Sequence, residues 1–275
     1  MTAADVPSAI SLTWEAFGIP SGSVQLQPTW DARMHMMLRT DPAGAFVALG
    51  DDGEVIGVSA ALARGDLWVL SLLAVKTGIQ SRGIGRALME AALRYRSDLK
   101  NRLIMSTNDP RAMRLYWQAG FALYPAMLAS GVVKRERLPE TDPRITEVAI
   151  EEIPQLAPIS VAIRGGPHTE EMKMMTSTGA RIFRLDDRGF VVVSTSHEVW
   201  LLAALDHESA NALLWHGLDL ASESGPARVR YVSGANQWAI DILMAVGLDV
   251  IADGAVSVIG NPGPLCPYIP SGPLS

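Results

Sequence analysis

In Gln80-Ser81-Arg82-Gly83-Ile84-Gly85-Arg86, two glycines and two arginines stand where a loop gives way to a helical pattern. These residue types suit an anion. Glycine lets the backbone turn sharply and lets a ligand lie against it. The first N–H groups of a helix have no intrahelical partner, and the helix dipole adds partial positive charge there. Together they make an anion site whose usual occupant is phosphate, and Arg82 and Arg86 add full charges. Two phosphate loops do not fit. A Walker loop needs Gly-Lys followed by Ser or Thr, and the Rossmann fingerprint needs a third glycine where Leu88 stands.

The flanks of the loop must hold it in place. "LWVLSLLAV" from Leu67 predicts a buried strand leading in. Ile84, Ala87, Leu88, Ala91 and Tyr95 fall at helical spacing and predict a helix that buries that face. A further strand over Arg102–Ser106 is followed by Asn108 and by a helix carrying Tyr116.

Much of the chain reads twice in the same order. Pro7 matches Pro154, the Met34, Met36 and Met37 cluster matches Met172, Met174 and Met175, Gly44 matches Gly179, Asn108 matches Asn236, and Gly120 matches Gly247. The spacing between partners shortens steadily, as a duplication followed by small losses would leave it. Each copy predicts a helix (Val6–Phe17; Ile153–Ile163), then a helix carrying the methionines. Two strands follow, closed by "GDDG" or "LDDRG". A third strand comes next (Leu67–Val75; Val199–Leu205), then helix, strand, helix and strand. "ITEVAI" gives the second copy an extra opening strand, and "KRERLPETDPR" marks the joint. The methionines read as core or pocket wall, not metal ligands.

The Gln-x-x-Gly-x-Gly run behind a strand ending Leu73-Ala74-Val75 resembles the acyl-CoA signature of the GNAT superfamily of N-acetyltransferases. A second landmark is similar: Asn108 after the next strand, Tyr116 on the following helix, then Gly120-Phe121. The resemblance covers about Ala4 to Arg135 and is faint over about Ile145 to Asn261. It implies an α/β (α+β) fold of two tandem GNAT-like domains, each a mixed, mostly antiparallel sheet flanked by helices. The catalytic domain would span 1–138, and a degenerate copy with a Pro/Gly-rich tail 139–275. The implied activity is acetyl-CoA-dependent transfer to a primary amine of a small molecule or peptide. The alternative is a non-catalytic acyl-CoA sensor or scaffold.

Residue by residue, the resemblance implies that backbone amides of Arg82, Gly83, Ile84, Gly85 and Arg86 cradle the pyrophosphate, with Gln80 and Ser81 completing the loop. Leu73, Ala74 and Val75 would receive the pantetheine arm, with the Val75 amide facing the thioester oxygen. Asn108 would bind the arm's amide region, Ala112 would line it, and Tyr116 would protonate the leaving thiolate. A preorganised N–H at the tetrahedral oxyanion is worth roughly 3–4 kcal/mol, and a positioned acid about 10²–10⁴-fold. The strand has no carboxylate to serve as base. Ser71 could hold a relay water, and Asp66 and Glu15 are alternatives. The acceptor site is expected between the first two helices, near Trp14, Trp30 and His35, with His35 packed or at the surface.

The matching stretch of the second copy, "WLLAALDHESANALLWHGL", has lost both glycines, and Leu243 stands where Tyr116 does. Asp206 or Ser209 reads there as a helix cap. These losses predict that the second copy keeps the fold without acyl-CoA.

Composition bounds the rest. The chain has 275 residues, 48% hydrophobic and 19% charged, with a formal charge of −6. The acidic balance argues against nucleic acid, which needs clustered Lys and Arg. The single cysteine, Cys266, excludes an internal disulfide and fits a reducing interior. With no secretory leader pattern in the first residues and no apolar run long enough to span a bilayer, a cytoplasmic setting is expected, with no membrane or metal partner and with a homodimer as a candidate assembly. The tail "GNPGPLCPYIPSGPLS" is expected to be irregular, either loose or draped over a surface.

Overall fold

A computed structural model of the protein describes residues 1–20, 23–223, 225–272 and 274. They form two compact units, one of Met1–Ala63 with Trp68–Lys100, the other of Arg64–Leu67 with Asn101–Ser275. In the first unit, helices α1 (Val6–Ala16) and α2 (Gln27–Thr40) precede strands β1 (Ala45–Leu49), β2 (Val55–Arg64) and β3 (Leu67–Val75), and helix α3 (Ile84–Arg94) follows. Both α1 and α2 open with a proline in the first turn, where the missing N–H costs nothing. The GDDG hairpin forms as expected, pairing Ala45 with Ala60.

The methionine cluster is core. Met34 and Met37 are fully buried and Met36 nearly so. Buried Asp41 pins the end of α2 to its neighbours, accepting from the Ala63 amide and the Tyr95 hydroxyl, each at 2.8 Å. Helix α3 is seated on β2 through Gly57, where a Cβ would meet Leu88 Cδ1 at 2.8 Å and Ile84 Cγ2 at 3.1 Å. Trp68 of β3 donates to the Ala92 carbonyl of α3 at 3.1 Å. The expected inner face of α3 needs correction. Leu88, Met89 and Ala92 are buried, Ile84 and Ala91 are half-buried, and Ala87 is exposed. Tyr95 lies just past the helix, as its cap. The packed stripe is centred on Leu88, Met89 and Ala92, on the side that meets Gly57 of β2 and Trp68 of β3.

The second unit continues with β4 (Asn101–Ser106), α4 (Pro110–Gln118), β5 (Ala122–Gly131) and β6 (Ile145–Glu147). Then come α5 (Ala157–Arg164), α6 (Thr169–Ser177), β7 (Arg181–Leu185), β8 (Gly189–Val193) and β9 (Glu198–Ala204). The chain closes with α7 (His207–Ala221), β10 (Ala227–Ser233), α8 (Gln237–Ala245), β11 (Asp249–Ile259) and β12 (Tyr268–Ile269). The element order α1 to β5 thus recurs from α5 to β11, after the extra strand β6 that "ITEVAI" predicted. The fold is two successive α/β repeats of mixed, mostly antiparallel sheet and flanking helices. One expected helix is shorter: residues 150–156 form a 3₁₀ segment containing Pro154, and α5 begins only at Ala157. Proline removes an N–H that a continuous helix there would need.

Strand order in this unit is β4-β11-β5-β10-β9-β8-β7-β6. β11 pairs antiparallel with β4 (Ala255 with Ser106), and β5 pairs antiparallel with β10 (Ala227 with Gly131). The two also pair with each other. The closing strand of each repeat therefore pairs with the penultimate strand of the other. The division between compact units falls before β4 for this reason, upstream of the joint between repeats.

The tail also needs correction. Tyr268 and Ile269 form a strand on β9 and are almost fully buried, as is Leu274. Residues 261–266 carry no regular element, as the composition suggests, and the departure from it is the short strand Tyr268–Ile269. Pro273 and Ser275 lie outside the described residues.

Candidate functional site

The loop after β3 is anchored at both ends within the first unit. The Lys76 amide donates to the Ile56 carbonyl at 3.0 Å, and the Gln80 side chain reaches back to the Val75 carbonyl at 3.1 Å. Gln80 thereby fixes the span between the strand end and the helix. Ser81 takes a positive φ of 66°, which is uncommon for a residue with a Cβ. Gly83 follows with φ 89° as the N-cap of α3.

At Gly83 a Cβ would meet no heavy atom within 4 Å, so the backbone faces open space. The first intrahelical bond runs from the Ala87 amide to the Gly83 carbonyl at 3.0 Å. The amides of Ile84, Gly85 and Arg86 therefore have no partner within the helix. Arg82 and Arg86 are exposed beside them. Glycine conformation, open space, N–H donors and two guanidiniums converge, as an anion cradle requires.

A cavity of about 470 Å³ adjoins this loop, lined by Asp51, Asp52, Glu54, Lys76, Arg82 and Ile84 among others. Lys76 is paired there with Glu54 at 2.7 Å, a contact that raises the ammonium pKa. The pairing and the two aspartates leave this cavity little net attraction for phosphate, so the anion preference belongs to the helix mouth.

On β3, Ala74 is buried, while Leu73 and Val75 are half-buried. Ser71 is buried, and the Arg33 guanidinium of α2 donates to its carbonyl and, at 3.3 Å, to its hydroxyl. The same guanidinium lies 4.8 Å from the centre of the Trp30 ring. Arg33 was not legible as a site residue; its only signal was an arginine inside a methionine-rich helix that packs in the core. Of the alternative bases, exposed Glu15 accepts from the Thr77 hydroxyl, two residues past Val75. Asp66 precedes β3, whose nine residues separate its two ends by about 27 Å. Trp14 is buried, Trp30 half-buried, and His35 exposed with Nδ1 2.8 Å from the Asp31 carbonyl.

The remaining expected residues belong to the second unit. Asn108 is exposed after β4, and Asp109, not Asn108, caps α4 by accepting from the Arg111 amide at 2.8 Å. Ala112 is half-buried and Tyr116 buried on that helix. Burial raises the Tyr116 phenol well above its ordinary pKa of about 10, with Tyr231 and Asp109 adding to the effect, so it keeps its proton at neutral pH. In the matching places of the second repeat, Asp206 caps α7 by accepting from the Ser209 amide at 2.8 Å. Leu243 is fully buried where the first repeat has Tyr116.

A family profile described as Acetyltransferase (GNAT) family matches residues 7–121, the span that contains the loop, Asn108 and Tyr116. Over residues 7–121 the chain is thus similar to GNAT acetyltransferases. Solved structures share the fold over 93–95% of the chain. A candidate acetyltransferase from Pyrococcus horikoshii superposes with a TM-score of 0.78 at 17% identity, covering 95% of this chain and 88% of its own. A tandem GNAT protein from the clavulanic acid biosynthesis pathway matches at TM-score 0.55 and 16% identity, over 93% of this chain and 94% of its own. A GCN5-related N-acetyltransferase from Sphaerobacter thermophilus does so at 0.55 and 16%, over 94% and 93%. No curated protein matches the sequence. Among the described residues no group of three or more His, Cys, Asp or Glu could hold a metal, and no helix is long and apolar enough to cross a membrane.

Proposed function

We propose that the first repeat of this chain transfers an acetyl group from acetyl-CoA directly to a primary amine of a small molecule or peptide, in the cytoplasm. The observation that carries this reading is the mouth of α3, with Gly83 at φ 89° facing open space before the unpartnered amides of Ile84 to Arg86. These groups suit the CoA pyrophosphate. The edge of β3 at Leu73 to Val75 would pair with the pantetheine arm, Asn108 and Ala112 would bound it, and the Val75 amide would stabilise the oxyanion. The amine attacks the thioester carbonyl, the C–S bond breaks, and Tyr116 gives its proton to the departing thiolate. Burial keeps the phenol protonated until the thiolate departs.

The amine must lose a proton. Ser71 could hold the water that takes it, although the Arg33 guanidinium sits against its hydroxyl. A fixed cation there disfavours an ammonium and favours the neutral amine. The second repeat, without the glycines and with Leu243 in place of the acid, is proposed to keep the fold and not the cofactor.

Thiol release across a panel of amines tests the reading, with Tyr116→Phe as the key variant. The expected result is turnover of some amine by the wild type, a kcat about 10²–10⁴-fold lower in the variant, and one acetyl-CoA bound per chain. Two acetyl-CoA per chain would refute the degenerate second copy. The absence of a carboxylate on β3 favours one second reading, an acyl-CoA sensor. Tight acetyl-CoA binding with no turnover on any amine, and no effect of Tyr116→Phe, would establish it.

A further inference from the structure

In the second repeat, the chain's own C-terminal segment lies along the strand that corresponds in order to β3. β9 is the counterpart of β3. Along one edge it pairs with β8 from Val199 to Ala204. Along the other edge it pairs in parallel with β10 only at its start, at Glu198 and Val199. Past that point the two strands no longer pair, and β12 takes up the vacated edge, with Tyr268 opposite Ala203 and Ile269 opposite Leu202. The Ala204 amide donates to the Pro267 carbonyl at 3.3 Å. These are the last residues of β9, as Ala74 and Val75 are the last of β3.

The residue on the segment's other side corresponds in order as well. Asn236 follows β10 as Asn108 follows β4. Its Oδ1 accepts from the Tyr268 amide at 2.9 Å, and its Nδ2 donates to the Leu265 carbonyl at 3.0 Å. Trp238 Nε1 donates to the same Oδ1 at 3.0 Å and fixes the amide plane. The segment is locked from beyond by the Tyr268 hydroxyl, 3.0 Å from His168 Nε2, whose Nδ1 is 3.0 Å from the Ser160 hydroxyl. All three side chains are buried.

A pantetheine arm is a chain with two amides, so a strand edge and a carboxamide can hold it as they hold a peptide. We infer that Leu265–Ile269 is a built-in substitute for that arm, so that the second repeat keeps its arm groove as a binding site for an extended peptide of this chain. The inference rests on the proposed reading of Ala74, Val75 and Asn108 in the first repeat. It adds a cause to the loss of cofactor there: besides the missing glycines, the groove is already filled. Its specificity is for an extended segment with Tyr at the β9 pairing position, since His168 and Ser160 answer the phenol.

Hydrogen exchange on the full chain tests this first. Amides of Leu265–Ile269 should exchange slowly, and Asn236→Ala should speed them about tenfold by removing two hydrogen bonds to the segment. Saturating acetyl-CoA should slow exchange over residues 73–86 and leave the tail unchanged. A chain ended after Asn261 should bind a labelled peptide of residues 262–275 one to one, which the full chain does not. S-acetylpantetheine, which carries the arm and no pyrophosphate, should displace that peptide. Unchanged tail exchange in Asn236→Ala overturns the inference, and so does a bound peptide that S-acetylpantetheine fails to displace. If the shortened chain does not fold, the exchange result on the full chain decides. Displacement of the peptide without acetyl-CoA protection at residues 73–86 refutes the proposed activity of the first repeat while the tail inference stands.

Discussion

Glu171→Gln probes a buried ion pair in the second unit. Arg64, at the tip of the β2–β3 hairpin, places Nε 2.5 Å from Glu171 Oε1 of α6, with side-chain exposures of 7% and 1%. Gly166 lets the tip approach, since a Cβ there would lie 2.2 Å from the Arg64 carbonyl. Fully buried Arg164 is a second cation in the same region, held by the carbonyls of Gly166 and Pro167 and acting electrostatically on both members of the pair. Removing the carboxylate charge, with size conserved, takes the anion from Arg64 Nε and the negative charge that acts on Arg164 from the same buried region. Breaking a buried pair from one side costs about 3–5 kcal/mol. At about 2–4 °C per kcal/mol for a unit of this size, the melting temperature should fall by about 6–20 °C. Replacing the pair together, Arg64→Met with Glu171→Leu, should recover at least half of that loss, because apolar contacts of similar volume replace a desolvated pair at little cost. Denaturant melts of Arg64→Met, Glu171→Leu and the double variant give the coupling energy directly. A loss below about 1 kcal/mol for Glu171→Gln would show that the site is hydrated and screened as a surface pair is, and would refute the reasoning.

Other outcomes follow from the same geometry. His168 is buried neutral, its pKa pushed well below 6.5 by burial and by Arg164 and Arg64. In the unfolded chain it protonates near its ordinary value, so its contribution is full above that pH and is lost as pH falls through it. Stability should drop below about pH 6.5 with a limiting slope of about 1.4 kcal/mol per unit, and His168→Gln should flatten the slope seen by pH-dependent melts. At Gly83, alanine meets no neighbour and costs only the left-handed backbone, about 1–2 kcal/mol. Gly83→Asp adds repulsion at the anion site, and calorimetry should find acetyl-CoA affinity weakened well beyond the alanine variant. Asp206→Ala removes the α7 cap and the 2.6 Å Arg188 contact, and should cost about 1 kcal/mol in a denaturant melt while leaving acetyl-CoA binding unchanged.

How much of this was legible depended on whether the physics was local. The glycine loop could be read because φ at Gly83 and the spacing of Ile84 and Leu88 are properties of a few adjacent residues. The hairpins at Asp51 and Asp186 announced themselves through turn chemistry, and Asp206 through capping. The repeat could be read because order along a chain survives when individual matches do not. Arg33 could not, since nothing in "RMHMML" says that the guanidinium turns inward onto Ser71. Nor could the exchange of β5 and β11. Neither ALYPAMLASG nor DVIADGAVSVI says which strand it will pair with, since partner choice is a long-range property that local pattern leaves degenerate. The tail shows the same limit from the other side. Pro and Gly describe how a segment lacks regular local structure, and they say nothing about whether a groove exists to hold it. Tyr268 and Ile269 are ordered because β9 and β10 part company after Val199 and leave backbone donors and acceptors that must be paired. That vacancy comes from the fold of the second repeat, so the fate of the last residues is decided far from them in the sequence.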